Sequence, residues 1–274
     1  MRPNAHTADV PETLRQTVEF LGLDFDDLGP SAALNEVKQL AGQNKFSYVV
    51  TPNVDHVVAL NRTSDSTLQA AYDAADLILC DSRILSQLSR RSGLDITAVP
   101  GSDLTRQLLD ATDMNWRCAI IGGDAALHSD IRRLYPQHAW TFHQPPMGVR
   151  RDPAARGKIA AFVETADADI FFFAIGAPQS EICCFEIARR GRAHGVALCI
   201  GASLEFLTGA KKRAPLWMQR SSLEWLHRLA SEPKRLGRRY LVEGPTIFLI
   251  WLRWRTLRAA RHRAASGSNP FDGR

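Results

Sequence analysis

No apolar run in the 274 residues reaches the ~18 that a membrane-crossing helix needs, so no spanning segment is expected. The first residues, MRPNAHTADVPETLRQ, lack a charged start followed by an apolar stretch, and no secretory signal is read there. Cysteine is scarce, at five, and Cys183 and Cys184 are sequence neighbours, which rarely pair. Cys80, Cys118 and Cys199 sit in the apolar runs LILC, CAII and VALCI. With no C-x-x-C, no H-E-x-x-H and no Cys/His cluster, the thiols read as buried and reduced, and neither a disulfide framework nor a metal site is expected. Internal repeats and low-complexity segments are absent. At 45% apolar and 23% charged, the composition excludes a disordered or collagen-like chain.

What is present is an uneven charge. The net value is +5, but Glu232 to Arg263 carries nine Lys or Arg against Glu232 and Glu243, or +7. The tail after it is neutral, so the first 231 residues carry −2. A nearly neutral body with a basic C-terminal segment calls for an anionic partner: nucleic acid, anionic lipid or a phosphorylated substrate.

Strand-like runs fall at 47–51, 77–80, 118–122, 139–142, 170–176 and 196–201. They are short, apolar and mostly without alternation, as in strands buried on both faces. Helical patterns lie between them at 54–62, 66–75, 102–112, 124–134, 153–166 and 180–193, with Ser102 or Asp103 capping one start and Asp124 another. Alternating β and α units predict an α/β fold, a doubly wound, mostly parallel Rossmann-like sheet with a basic helical appendage. The division expected is a polar extension over 1–16, the α/β domain over 17–210 and the appendage over 211–274. Ligands of such sheets sit beyond the carboxyl ends of the strands. The loops there carry Pro52-Asn53-Val54-Asp55-His56, Asp81-Ser82-Arg83, Gly122-Gly123-Asp124, Ala177-Pro178-Gln179-Ser180-Glu181 and Ala202-Ser203-Leu204-Glu205. Neither G-x-G-x-x-G nor a Walker lysine motif is present, although Gly122-Gly123 opening a helix lets backbone approach a phosphate.

The most specific stretch runs from Gly176 to Leu241: GAPQSE, then GASLEFLTGAKKRAPLWMQR, then LEWLHRLASEPKRLGRRYL. With TPNVDHVVAL at 51–60, the acidic loop at 80–82 and VPGSDL at 99–104, it closely resembles the WecG/TagA/CpsF family of bacterial glycosyltransferases over about residues 20–243. The resemblance implies inverting, metal-independent transfer from a UDP-sugar to a polyprenyl-diphosphate saccharide, with no cofactor. The products would be cell-surface polymers: teichoic linkage units, capsule or exopolysaccharide. From the reduced thiols and the basic C-terminal segment, a cytoplasmic protein held peripherally on the inner face of the plasma membrane is expected, and with no recognisable nucleic-acid motif, no nucleic-acid partner. Oligomeric state stays open, as does a non-catalytic nucleotide-sugar-binding module on the same fold.

The resemblance also assigns roles. Asp81 matches the proposed catalytic base, which takes the acceptor hydroxyl's proton, and Asp55 is its rival. Thr51 and Asn53 match the T-x-N motif beside sugar and diphosphate, and Gly101 and Asp103 the G-x-D-L segment. Gly122, Gly123, Gln179, Ser180, Glu181 and Glu205 are expected on the donor. Two positions depart from the family pattern: Ser180 replaces the usual Gln before Glu181, and Ala98 the usual Arg, for which Arg83 is a substitute. Arg213, Arg228, Arg235 and Arg238 occupy appendage positions expected at the diphosphate or acceptor. Trp217 and Trp225 read as packing residues. The run from Ile247 to Leu252 with the arginines after it suits an interfacial helix on an anionic leaflet, or a helix docked on the body.

Overall fold

The computed structural model describes residues 16–111, 114–221 and 223–266. Six parallel strands form the central sheet: β3 (Phe46–Val50), β4 (Leu77–Ile78), β5 (Arg117–Gly122), β6 (Ala139–His143), β7 (Ile170–Ala174) and β8 (Gly195–Cys199). Their order is β4-β3-β8-β7-β5-β6. The expected Rossmann-like α/β architecture is therefore present, and each of the six runs overlaps one of these strands, with ends shifted by one or more residues.

Alternation explains the two-sided core. Along β7, Phe171 and Phe173 join one buried cluster, while Ile170 and Phe172 join the other on the opposite face. Every residue of β3 and β8 is buried. The 77–80 run is shorter than expected. Only Leu77 and Ile78 form β4, and Cys80 makes a separate bridge to Ala98.

Several elements lie outside the sequence expectation. A hairpin of β1 (Thr17–Phe20) and β2 (Leu23–Asp26) leads into α1 (Pro30–Ala41). The buried Asp26 carboxylate ties this hairpin to the sheet by accepting from the Ile78 N–H at 2.7 Å. Helix α4 (Arg83–Arg90) follows the Asp81 loop under a Ser82 N-cap.

The expected helices correspond to α2 (Val54–Arg62), α3 (Ser66–Asp73), α5 (Gly101–Asp110), α6 (Ala125–Leu134), α7 (Pro153–Thr165) and α8 (Gln179–Arg190). Asp124 caps α6 as expected, accepting from Leu127 N at 2.8 Å. Helix α5 differs: Pro100 holds its N-cap position with no side-chain cap. Asp103 is engaged by Arg213 instead. All five cysteines are buried and free.

After β8 the chain forms α9 (Ser203–Leu207), α10 (Leu216–Arg220), α11 (Glu224–Ser231), α12 (Pro233–Arg238), a π-helical turn at Arg239–Glu243 and α13 (Thr246–Ser266). Helix α13 docks on the body. Ile247 is buried, and Ile250, Trp251 and Trp254 pack against the core. The indole N–H groups of Trp251 and Trp254 donate to Ser92 Oγ and Glu19 Oε1, at 2.8 and 3.0 Å. No helix among the described residues is long and apolar enough to cross a membrane.

Candidate active site

The carboxyl ends of β3, β5, β7 and β8 open into a cleft of about 1470 Å³, roofed by the C-terminal helices. That exceeds the ~300–1,000 Å³ of ordinary small-ligand pockets. Helices α2, α5 and α8 start on this edge, so their positive N-terminal ends face it.

Asp81 lies three residues beyond β4, just after the Cys80 bridge, on the cleft wall. Its Oδ1 accepts the Gly101 N–H at 3.1 Å, and its own N–H donates to Pro52 O at 3.0 Å. Burial pushes its carboxyl up to about 7. The Glu224 carboxylate adds to the rise, while Arg228, the Gly101 N–H and Arg213 oppose it. The site thus holds a carboxyl that titrates near neutrality with two guanidinium groups acting on it.

Those groups come from the appendage. Arg213 forks onto both oxygens of Asp103, with Nη2–Oδ2 at 3.1 Å. Arg228 bonds Glu224 one turn earlier at 3.0 Å and lies over the Phe206 ring, 4.9 Å from its centroid. Both arginines keep a buried Nε with no partner. Such donors are costly to bury unless something accepts from them.

The remaining residues divide between ligand-facing and structural positions. Thr51 is buried, and its hydroxyl donates to Cys199 O at 3.2 Å. Asn53 caps α2 through Oδ1, while its N–H donates to His56 Nδ1 at 3.2 Å. Burial, then Arg239, holds His56 down to about 4 and keeps it neutral at physiological pH. Asp55, the rival base, is ion-paired with Arg239, whose Nε lies 2.6 Å from Oδ2.

Gly122 (φ +107°) and Gly123 (φ +72°) make the β5–α6 turn. A Cβ on Gly122 would lie 3.0 Å from the backbone carbonyl of Ala174, and both φ values fall in the region that favours glycine. Gln179 and Ser180 turn back onto the carbonyls of Ile175 and Gly176, at 2.5 and 3.0 Å. Glu181, in the first turn of α8, is 2% exposed, and its Oε2 has no partner. Burial pushes its carboxyl up to about 7. Glu205 pairs with Lys211, and Arg83 also lines the cleft.

Of the four expected appendage arginines, Arg213 and Arg228 line the cleft. Arg238 does not. Its side chain is 83% exposed and bonds Glu243 at 3.1 Å. Arg239, the next residue, lines the cleft in its place. Neighbouring helical positions point about 100° apart, and nothing in R-L-G-R-R says which of the pair turns inward. Arg235 lies on α12, and its side chain is outside the described residues. Trp217 is 62% exposed rather than packed, because α10 is short and peripheral. Trp225 lines the cleft, edge-on to Tyr240 at 6.3 Å. Glu224, His227 and Arg239 were not anticipated, since a charged residue on a short helix carries no sequence mark of the side it faces. Among the described residues, no three His, Cys, Asp or Glu gather as a metal-binding group.

The sequence signature described as the Glycosyl transferase WecG/TagA/CpsF family matches residues 18–261. An N-acetylglucosaminyldiphosphoundecaprenol N-acetyl-beta-D-mannosaminyltransferase of Staphylococcus aureus (strain MRSA252) is 25% identical over 236 residues, covering 81% of this chain and 87% of that protein. The protein of the same name from Bacillus spizizenii (strain W23) is 26% identical over 231 residues, covering 81% of this chain and 86% of its own.

Proposed function

Because the chain belongs to the WecG/TagA/CpsF family and is a glycosyltransferase, we propose that it moves a sugar from a UDP-sugar to a polyprenyl-diphosphate-linked saccharide, with inversion, without a metal, and with Asp81 as general base. The observation that carries this reading is the Asp81 carboxyl on the cleft wall, titrating near 7 with Arg228 and Arg213 acting on it. The names of the relatives, which specify an N-acetylglucosaminyldiphosphoundecaprenol acceptor and an N-acetylmannosaminyl group, support the acceptor class.

In this reading the acceptor hydroxyl oxygen attacks the anomeric carbon, and the bond from that carbon to the UDP oxygen breaks. The hydroxyl proton passes to Asp81, so a neutral carboxylic acid and a UDP anion leave the step. A base titrating near 7 is well matched to this transfer at cytoplasmic pH. The departing diphosphate needs positive charge that is already in place. The unpartnered Nε groups of Arg213 and Arg228 and the starts of α2, α5 and α8 supply it. Thr51, Asn53, Gly101, Gly122, Gly123, Glu181 and Glu205 form the donor side. Gln179 and Ser180 shape the turn into α8 through backbone hydrogen bonds.

The same proposal places the protein on the inner face of the plasma membrane, in cell-surface polymer synthesis. Leu241, Val242, Phe248, Leu249 and Leu252 are each at least half exposed, next to Arg253 and Arg255. Apolar side chains flanked by arginines suit an anionic lipid interface. Phe248 also lines the cleft, so this face adjoins the opening through which a lipid-linked acceptor would reach Asp81. The test is a donor screen with a synthetic lipid-diphosphate N-acetylglucosamine acceptor, reading released UDP. Acceptor-dependent release from at least one UDP-sugar is expected; none from any donor contradicts the reading.

A further inference from the structure

A second cavity, of about 700 Å³, lies between α13 and the turn at Leu21–Gly22, and none of its lining residues lines the catalytic cleft. Its positive wall is Arg253, Arg258 and Arg261. Arg253, Leu257 and Arg261 recur every four residues and form one stripe along α13, with the arginines about 12 Å apart along the axis. Arg258 is held from the side. Its guanidinium lies 5.2 Å from the Trp254 ring centroid, and Nη1 donates to Ser92 O at 3.3 Å. Glu19 is the one carboxylate in the lining, and it accepts from Trp254 Nε1 and Gly22 N. The floor is aliphatic, from Leu21 and Ile250, and Leu257 at the rim is 51% exposed.

We propose that this groove binds the phosphodiester headgroup of an anionic phospholipid, with Arg253 and Arg261 on the phosphate and Leu21, Ile250 and Leu257 against the glycerol and first acyl carbons. Three arginines against one engaged carboxylate favour an anion, and guanidinium forks match phosphate oxygens. The aliphatic floor distinguishes a lipid from a bare phosphate. Continuity distinguishes it from a soluble ligand, because Leu249 and Leu252 are exposed on the adjoining side of the same helix. The proposal rests on the membrane-surface reading of α13. It adds a specific headgroup site to what would otherwise be diffuse attraction.

The test uses the full chain and a lipid that forms no surface: dihexanoyl phosphatidylglycerol below its micellar concentration, titrated calorimetrically. Saturable binding at one site is expected. The pair Arg253→Ala and Arg261→Ala should weaken it by on the order of 100-fold, as two charge-assisted hydrogen-bonding groups are lost. The pair Arg255→Ala and Arg263→Ala removes the same charge outside the groove and should leave it unchanged. Both pairs should keep wild-type transfer to a water-soluble acceptor, which reports folding. Absence of saturable binding, or equal losses in the two pairs, overturns the proposal. Inorganic phosphate or a thymidine oligonucleotide binding as tightly, with the same dependence on Arg253 and Arg261, also overturns it. Flotation on phosphatidylglycerol vesicles reads the underlying premise separately. A chain that floats but ignores the monomeric lipid loses the groove and keeps the membrane reading; one that binds the monomer but does not float does the reverse.

Discussion

If Asp81 is the base, its unusual environment should be visible in the pH profile of kcat/KM. An ordinary aspartate titrates near 3.9 and would leave the profile flat above pH 5.5. With the Asp81 carboxyl at about 7, the ionised fraction is about 90% at pH 8 and about 3% at pH 5.5. Transfer should therefore fall about 30-fold between those values, with unit slope on the acid side. The residues that set the position of the inflection are identifiable. Glu224→Gln removes a carboxylate that raises Asp81, and it also frees Arg228 from its 3.0 Å partner. Both effects move the inflection to lower pH. Arg228→Gln removes a cation that lowers Asp81, so its inflection moves up while the rate falls throughout. Initial rates of UDP release from pH 5 to 9, at subsaturating donor, measure all three profiles. A flat wild-type profile, or an inflection that neither variant moves, refutes the assignment of the titrating group.

Glu181→Gln should alter the pH dependence of stability. A carboxyl titrating at about 7 in the fold against 4.5 unfolded stabilises fully below 4.5, and that contribution is lost as pH rises through 7. At 1.36 kcal/mol per pH unit, the wild type should lose about 3 kcal/mol more than the variant between pH 4.5 and 8.5 in urea unfolding; parallel curves would contradict this. Transfer should survive EDTA, because no Asp-x-Asp follows an expected strand and the arginines and helix starts would carry the diphosphate charge. Activity lost on chelation and restored by Mg²⁺ or Mn²⁺ would reverse that conclusion. Leu249→Ser with Leu252→Ser should weaken vesicle binding by about 2 kcal/mol, roughly 30-fold, in a part that salt does not remove. Unchanged flotation in high salt would leave α13 as a docked helix only.

Much of the fold was legible because the sheet is parallel and buried. Runs such as IFFFAIG have few other uses in a chain of this length. The β1–β2 hairpin was not legible. It is held by Phe20, Leu21, Leu23 and Phe25 in the core and by the buried Asp26 carboxylate, which reaches Ile78 across 52 residues, and no local pattern marks that long-range contact. Helix α4 escaped because RILSQLSR has few apolar residues, although its Ser82 cap is visible afterwards. At the site, strand-end residues could be placed because the ligand edge follows from topology. The appendage could not, since its helices are short and the direction each arginine faces is set by packing. Arg239 took the place expected of Arg238 for that reason. Of the two alternatives raised for α13, docking is what the fold shows, and it leaves a free side for the proposed interface. One side of the helix packs through Ile247, Trp251 and Trp254, and another exposes Leu249 and Leu252.

The most direct test of the central claim is Asp81→Asn, measured for transfer and UDP affinity in the same preparation. The amide keeps the shape of the side chain and an oxygen for the Gly101 N–H, but it cannot take the acceptor's proton. Loss of a general base costs about 10²–10⁴-fold in rate. The account predicts a fall of that size in kcat with UDP binding and unfolding little changed. Turnover near the wild-type rate would contradict it and would remove Asp81 from the chemistry.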